Sequence, residues 1–334
     1  MVKSSPYSIV MKPYGKALVA LAQRRPEVFC LGADLTRQTE TDLIRDQMPE
    51  RFLNVGMAEA NMMGIAGGLA RAGHVVFVNS FGVFCTRRCY DQIAMAVAYP
   101  KLNVKIAGFM PGISSPGGPS HQAIDDLALM RALPNMTVLD LADAREIEQA
   151  VEVAADIQGP VYLRLKRGEI SEIFDDQHVF DGRRAHVLSS GNDVCLVASG
   201  MMVPATLAAA DDMRRHGLNP TVVNSPVVKP LDAETIIRAA SRTKAVVTVE
   251  NHSVIGGLGS AVSEALVEAG LGVPLRRVGL KDTFAESGSR EFLFDKYGLS
   301  VQSILDTVWS VARPGTHAPR AQAMPVEAGT YAPV

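Results

Sequence analysis

Cysteine is scarce in this chain, with four in 334 residues. Cys30, Cys85, Cys89 and Cys195 form neither a Cys-x-x-Cys pair nor a cysteine–histidine cluster with zinc spacing. Cys85 and Cys89 would share one helical face, where two small buried residues are a better interpretation than a redox pair. We therefore expect no metal ligands in this chain, and a reducing, cytoplasmic location.

A dominant charge and long hydrophobic runs are also missing. The 33 Lys and Arg residues nearly balance the 35 Asp and Glu residues, which gives a net charge of -2. This balance provides no electrostatic footprint for nucleic acid or an anionic membrane. The apolar runs fall short of the roughly 20 residues that cross a bilayer, and residues 1–6 lead into no long apolar core of a secretory signal. We expect neither a nucleic-acid nor a membrane partner.

What is present is an alternation of short β-rich runs with longer helical ones. It predicts an α/β fold with two domains, each a mostly parallel sheet flanked by helices. Two domains also suit the length, at roughly 150 residues per domain. We expect a first domain over residues 1–170, a polar linker over 171–190, a second domain over 191–313 and a flexible, proline-containing tail over 314–334.

Hydrophobic periodicity predicts the individual elements. Asp143 is expected to cap a helix, and the many small residues of a helix over 59–72 predict close packing against another subunit. The first domain is expected to have helices over 14–24, 59–72, 86–98, 124–131 and 144–157, and strands over 28–31, 52–55, 74–78, 103–107, 136–139 and 161–165; the second, strands over 194–197, 221–223 and 245–249 and helices near 203–215, 233–240 and 259–269.

Several chemically capable side chains follow predicted strands, where parallel sheets bind ligands. Glu59 stands at a strand-to-helix turn, although a first-turn acid also suits the helix dipole alone. His121 ends a Gly/Pro/Ser loop and could carry protons or simply pack the loop. Phe81 and Phe84 follow a strand, and core packing is the better interpretation of these two residues taken alone. The Gly-rich segment 256–259 lacks the G-x-G-x-x-G pattern and a P-loop lysine, so a structural turn is expected there.

Six short motifs, taken in order and spacing, resemble the C-terminal half of transketolases up to about residue 312. This half comprises a pyrimidine-binding domain followed by the transketolase C-terminal domain, and the small size resembles a split transketolase whose halves come from two genes. The motifs are Gly32-Ala33-Asp34-Leu35, Asn54-Val55-Gly56-Met57-Ala58-Glu59-Ala60-Asn61, Tyr99-Pro100-Lys101-Leu102-Asn103-Val104, Gly118-Pro119-Ser120-His121-Gln122, Pro134-Asn135-Met136 and Glu250-Asn251-His252-Ser253-Val254-Ile255-Gly256-Gly257-Leu258-Gly259.

The resemblance implies a transferase that moves a two-carbon glycolaldehyde unit from a ketose to an aldose with thiamine diphosphate. It aligns Glu59 with the acid that bonds N1′ of the aminopyrimidine, and burial in an apolar crevice would favour the protonated form that this role needs. Met57, Phe81 and Phe84 would border the pyrimidine, and His121 would face the first carbons of the sugar. His252 receives no role.

The family's Gly-Asp-Gly segment with a following Asn, which holds the diphosphate and Mg²⁺, is absent from this sequence. The resemblance therefore implies an N-terminal partner subunit that carries this site, with the cofactor at the interface of an α2β2 assembly. The β subunit of a 2-oxo-acid dehydrogenase, 1-deoxyxylulose-5-phosphate synthase and a non-catalytic scaffold subunit are the alternatives.

The acceptor end departs from the family pattern at three places. Lys12 lies where an arginine is usual, Phe109 replaces a histidine, and the segment 116–118 replaces Glu-Asp-Gly. Arg167 and Arg37 remain as candidate substrate-binding cations. These changes imply a non-standard sugar, with or without a phosphate.

Overall fold

The structure is a computed structural model that describes residues 2–3 and 7–322. Most of the predicted tail, residues 323–334, lies outside the described residues. The described chain forms an α/β fold with two parallel-dominated sheets flanked by helices, as predicted. None of the described helices combines the length and the apolar character needed to cross a membrane.

The first sheet has the strand order β12-β6-β7-β5-β4-β2-β3 in the described chain. All its neighbours are parallel except β12, which comes from the second half of the chain and pairs antiparallel with β6. Its central strands are buried on both faces, as helices on the two faces of a parallel sheet require. The strands are β2 (Val28–Gly32), β3 (Phe52–Asn54), β4 (Val75–Phe81), β5 (Val104–Phe109), β6 (Thr137–Asp140), β7 (Val161–Leu165) and β12 (Val227–Lys229).

The second sheet has the order β14-β13-β10-β11-β9, with only β9 antiparallel among the strands described. A separate two-stranded pair joins β1 to β8. β8 ends inside the predicted linker over 171–190, and β9 lies within it, whereas the residues between these two strands form no helix or strand. These strands are β1 (Ser8–Met11), β8 (Glu169–Glu172), β9 (His186–Ser189), β10 (Val194–Ala198), β11 (Pro220–Asn224), β13 (Val246–Ser253) and β14 (Leu275–Leu280).

The helices begin and end close to the predicted bounds in most cases. Asp143 caps α7 as predicted, because its carboxylate accepts a hydrogen bond from the Glu146 amide at 2.8 Å. The helices are α1 (Pro13–Arg24), α2 (Asp42–Gln47), α3 (Glu59–Arg71), α4 (Gly82–Cys85), α5 (Tyr90–Gln92), α6 (Asp126–Ala132), α7 (Ala144–Asp156), α8 (Val203–Arg215), α9 (Ala233–Ala240), α10 (Leu258–Glu268), α11 (Arg290–Lys296) and α12 (Val301–Ala312).

The predicted continuous helix over 86–98 is wrong, because this segment is broken into short turns. Thr86 and Cys89 leave helical geometry, with φ of -119° and -123°. The Thr86 hydroxyl instead donates to the Gly82 carbonyl at 2.6 Å, the local bonding by which threonine competes with a regular helix. A π-helical turn over Ile93–Ala98 completes the segment. The spacing of apolar residues did not reveal these breaks, because the broken segment buries the same side that a continuous helix would bury.

A buried charged network joins the two sheets. Arg164 and Asp126 are both fully buried and paired, with Nε to Oδ2 at 2.7 Å. The Arg164 guanidinium also donates to the Asn251 carbonyl at 2.8 Å, and Asp140 accepts from the Ser199 hydroxyl at 2.6 Å. Because a buried charge is tolerated only when paired, this network fixes how the first sheet meets β13 of the second.

Candidate active site

The candidate site lies at one edge of the first sheet. Phe81, Phe109 and Leu165 are register partners across β4, β5 and β7, and each is the last residue of its strand. The loops that follow these strands therefore leave the sheet side by side, as ligand sites of parallel sheets require.

Glu59 is the first residue of α3 and is 2% exposed. The crevice that buries it is not purely apolar. The Arg88 Nη1 group donates to both carboxylate oxygens, at 3.0 and 2.9 Å. A charge-assisted contact of this kind holds the acid in one orientation.

Phe81, Phe84 and His121 lie together beside this ion pair. The two phenyl rings are stacked at 5.9 Å between centroids, and the His121 ring meets Phe84 edge-on at 5.2 Å. The Arg88 guanidinium lies 4.3 Å from the Phe84 centroid, which is cation–π range. The structure thus places Glu59, the two aromatic residues and His121 in one contiguous group, with Arg88 as the link.

The His121 loop is held by the second half of the chain. Asn251 accepts from the Ile113 amide and donates to the Pro111 carbonyl, each at 3.0 Å. Gln122 donates to the Glu286 carbonyl at 3.1 Å. His121 itself remains partly exposed, with Nδ1 2.9 Å from the Ser120 hydroxyl. The loop is therefore braced at both ends while its histidine faces outward.

Met57 is 81% exposed, the largest value among the exposed apolar side chains described. Leu53, Met95 and Tyr99 are also exposed, and nothing lies within 4 Å of a Cβ added at Gly64 or Gly68 of α3. An exposed apolar face beside a row of small residues marks an interaction surface. This is the helix whose small residues predicted packing against another subunit.

The predicted acceptor residues surround a buried acid. The carboxylate of Glu40 accepts from the Gly15 and Gly168 amides at 3.0 and 3.3 Å. Burial raises the pKa of Glu40 to about 7, against the effect of these hydrogen bonds. Arg167 immediately precedes Gly168 and is half-buried, whereas Arg37 is exposed.

Two acceptor-end differences have structural explanations. The Lys12 ammonium is 2.6 Å from the Asp42 carboxylate, so this cation is already paired. Phe109 is fully buried and packs edge-on against Tyr14 at 5.3 Å. Phe109 therefore belongs to the core and offers no polar contact to a ligand.

The Glu-Asn-His motif and its glycines are structural, as expected for the turn. Glu250 accepts from the Leu258 and Gly259 amides at 2.7 and 2.9 Å and so caps α10. A Cβ at Gly257 would lie 2.0 Å from the Glu250 carboxylate, so a side chain there would push the carboxylate away from these amides. The prediction of His252 as an ordinary loop histidine is wrong, because this residue lies fully buried in β13. Burial lowers the pKa of His252 there.

Sequence reasoning missed Arg88 and Glu40. Arg88 lies four residues after Phe84, a spacing that would predict a contact between them on a regular helix. The contact of Arg88 with Glu59 has no such spacing, and it depends on the broken backbone of this segment. Glu40 lies in a polar segment without periodicity. Both are placed by contacts between residues far apart in the chain, which residue types alone do not reveal.

Two family models match the chain and together span most of it. The transketolase pyrimidine binding domain matches residues 10–172, and the transketolase C-terminal domain matches residues 183–304. The fold and the matched domains define the class: the chain corresponds to the C-terminal half of a thiamine-enzyme architecture. The chain belongs to the transketolase family.

Curated relatives include two proteins of similar length and one that is about twice as long. A protein named as a transketolase C-terminal section from Methanocaldococcus jannaschii is 39% identical over 91% of this chain and 96% of its own length. The 6-deoxy-6-sulfo-D-fructose transketolase subunit SqwH of Clostridium sp. is 41% identical over 87% of this chain and 91% of its own. A 1-deoxy-D-xylulose-5-phosphate synthase of Caldanaerobacter subterraneus is 35% identical over 88% of this chain, which spans about half of that protein.

Solved structures agree with this division. A split gene transketolase, described as an inactive β4 tetramer, is 44% identical, covers 90% of this chain and 97% of its own, and superimposes with a TM-score of 0.84. Transketolase from Campylobacter jejuni matches in fold, with a TM-score of 0.76 at 22% identity, and this chain covers 48% of it. The chain is thus a transketolase-family C-terminal subunit, as its sequence motifs indicated.

Proposed function

We propose that this subunit transfers a two-carbon glycolaldehyde unit from a ketose to an aldose, with thiamine diphosphate bound between it and an N-terminal partner. The observation that carries the proposal is the contiguous group of Glu59, Phe84 and His121 at the carboxyl edge of the first sheet. A buried carboxyl, an aromatic face and an accessible imidazole are the groups that this chemistry needs from the protein.

The residues fit the aminopyrimidine half of the cofactor. The Glu59 carboxyl is buried beside two aromatic rings, and Met57 adds an exposed apolar side chain three residues after Asn54. When bound, the cofactor supplies the carbon centre that accepts the two-carbon unit. Glu59 would hold N1′, Phe84 and Phe81 would pack on the ring, and His121 would bond the first hydroxyls of the sugar. Arg88 must then share or release the Glu59 carboxylate.

The partner is proposed to hold the diphosphate and Mg²⁺, because the sequence has no Gly-Asp-Gly segment. The exposed apolar residues Leu53, Met57, Met95 and Tyr99, with the open glycines of α3, form the proposed contact face. The split gene relative, described as inactive when it is a β4 tetramer, supports the need for a second chain. We propose an α2β2 assembly in the cytoplasm.

The substrate is proposed to be a sugar whose anionic end differs from that of common sugar phosphates. Lys12 is paired with Asp42 and Phe109 is buried in the core, so two usual phosphate contacts are missing. The relative named for a sulfofructose gives a precedent for another anion. Arg37 and Arg167 are the proposed contacts to the anionic end.

The test combines this chain with its N-terminal partner, thiamine diphosphate and Mg²⁺. Donor ketoses with phosphate, sulfonate or no anion are offered with matching aldoses, and products are identified by mass spectrometry. We expect two-carbon transfer by the pair and none by either chain alone, with poor transfer from xylulose 5-phosphate to ribose 5-phosphate. Consumption of pyruvate instead of ketoses would contradict the transketolase reaction, and efficient use of both common phosphates would contradict the altered acceptor.

A further inference from the structure

A second polar cluster lies away from the candidate active site, where the segment between the two sheets crosses α7. It consists of Glu146 in the first turn of α7, His178 in the connecting segment and His186 at the start of β9. One potential ligand atom from each lies within 4.8 Å of the other two. The cluster therefore joins a helix of the first unit to an edge strand of the second.

Two buried polar atoms at this cluster lack a hydrogen-bond partner among the described residues. They are His186 Nε2 and Asn224 Oδ1. Asn224 is the register partner of His186, and its amide nitrogen donates to Glu146 Oε1 at 2.7 Å. Buried polar groups nearly always have a hydrogen-bond partner. Two buried atoms without one, at the same place, therefore indicate a ligand that binds a ring nitrogen and an amide oxygen through their lone pairs.

The cluster also contains a buried carboxyl group. Glu146 is fully buried, and its Oε1 atom lies 3.0 Å from His178 Nε2. A buried carboxylate needs hydrogen bonds or a paired charge, and a cation between Glu146 and the two imidazoles would supply that charge.

Ring packing fixes the orientation of the two histidines. The His178 ring stacks on Phe174, with centroids 4.0 Å apart and planes 16° apart. The His186 ring lies 4.6 Å from the His178 ring between centroids, so the two imidazoles are neighbours.

We propose that Glu146, His178 and His186 form a divalent metal site, and that its preferred ion is Zn²⁺. Two imidazoles and one carboxylate are a common donor set for zinc, and Asn224 Oδ1 or a water molecule would complete four ligands. The site is structural: it fastens the connecting segment to α7 and β9. The sequence predicted no metal ligands because these three residues come from separate elements and share no short spacing.

The test uses the full chain, purified without a polyhistidine tag, stripped with a chelator and titrated with Zn²⁺ alone. Metal content is measured by plasma mass spectrometry, and the unfolding midpoint Tm by calorimetry. The ligand variant is His186→Gln and the matched control is His216→Gln, an exposed histidine at the C-terminal end of α8 and outside the cluster.

We expect about one Zn²⁺ per chain and a Tm raised by about 5 °C at saturating Zn²⁺ in the wild type and in His216→Gln. His186→Gln should lose both effects. If His186→Gln does not fold, Co²⁺ absorption in the wild-type chain reports histidine ligation directly. Trace zinc with an unchanged wild-type Tm, zinc kept by His186→Gln as in the control, or a Co²⁺ spectrum of hydrated ion would overturn the proposal.

Discussion

Replacing Asn251 by alanine tests whether the second half of the chain braces the His121 loop. Asn251 is 1% exposed and is the partner of the Ile113 amide, which is also buried. Gly112 lies between Pro111 and Ile113, the two loop residues that the Asn251 side chain contacts. Its φ is +54°, and a Cβ added to Gly112 would lie 2.1 Å from the Asn251 backbone carbonyl. The loop and β13 thus meet at backbone distance.

The cost can be worked out bond by bond. Asn251→Ala leaves the Ile113 amide buried and unpaired, which costs about 1–3 kcal/mol. The Pro111 carbonyl keeps its bonds from Ser114, so losing its Asn251 contact costs only about 1 kcal/mol more. The sum, about 2–4 kcal/mol, is a large part of the stability of a typical domain, yet the variant should still fold.

Urea unfolding followed by circular dichroism measures this loss, and Asn219→Ala, an exposed asparagine, is the control that should change stability by about 0.5 kcal/mol or less. In the reconstituted pair, the looser loop should also raise KM for the sugar. A variant as stable as the control, with an unchanged KM, would refute the reasoning that Asn251 positions the loop.

Two further predictions concern buried charges. Folding raises the pKa of Glu40 from 4.5 to about 7, so the folded protein holds this proton more tightly than the unfolded chain. The resulting contribution to the free energy of unfolding is about 3 kcal/mol. It is fully present below about pH 4.5 and is lost as the pH rises through about 7. Glu40→Gln should therefore flatten the fall in unfolding free energy between pH 5 and 8, as measured by urea titrations at each pH; an unchanged slope would show that Glu40 does not titrate there. Asp126→Ala removes the carboxylate that pairs with Arg164 at 2.7 Å and leaves Asp140, at 3.5 Å, as its only ion-pair partner among the described residues, so unfolding free energy should fall by about 3–5 kcal/mol. Adding Arg164→Met should recover part of that loss in the same assay, and no recovery would mean that packing rather than charge dominates.

Much of the fold was predictable because its signals are local. Parallel strands buried on both faces read as continuous apolar runs, and Val161–Leu165 is bounded as predicted. Asp143 followed by Glu146 is a cap signal that needs no tertiary contact. The pairing of β12 with β6 was not predictable, since it depends on where the second half of the chain returns to the first sheet.

The candidate site divides in the same way. Glu59, Phe81 and His121 were proposed from the resemblance to transketolases, and their positions near strand ends agree with it because strand ends converge at one edge of a parallel sheet. Arg88 was missed, since its contact with Glu59 depends on the irregular backbone between Thr86 and Cys89. The cluster of Glu146, His178 and His186 has no local signal in the sequence either, as separate segments of the chain bring it together.

The most direct test of the central claim is the activity of Glu59→Gln in the complex with the N-terminal partner. Gln keeps the size of the side chain but cannot exchange the proton that Glu59 is proposed to supply. Glu268→Gln, an exposed acid on α10, is the control. We predict turnover at least about 100-fold lower for Glu59→Gln, with partner affinity and control activity unchanged. Turnover of Glu59→Gln equal to that of the control would contradict the assignment of the catalytic acid to this subunit.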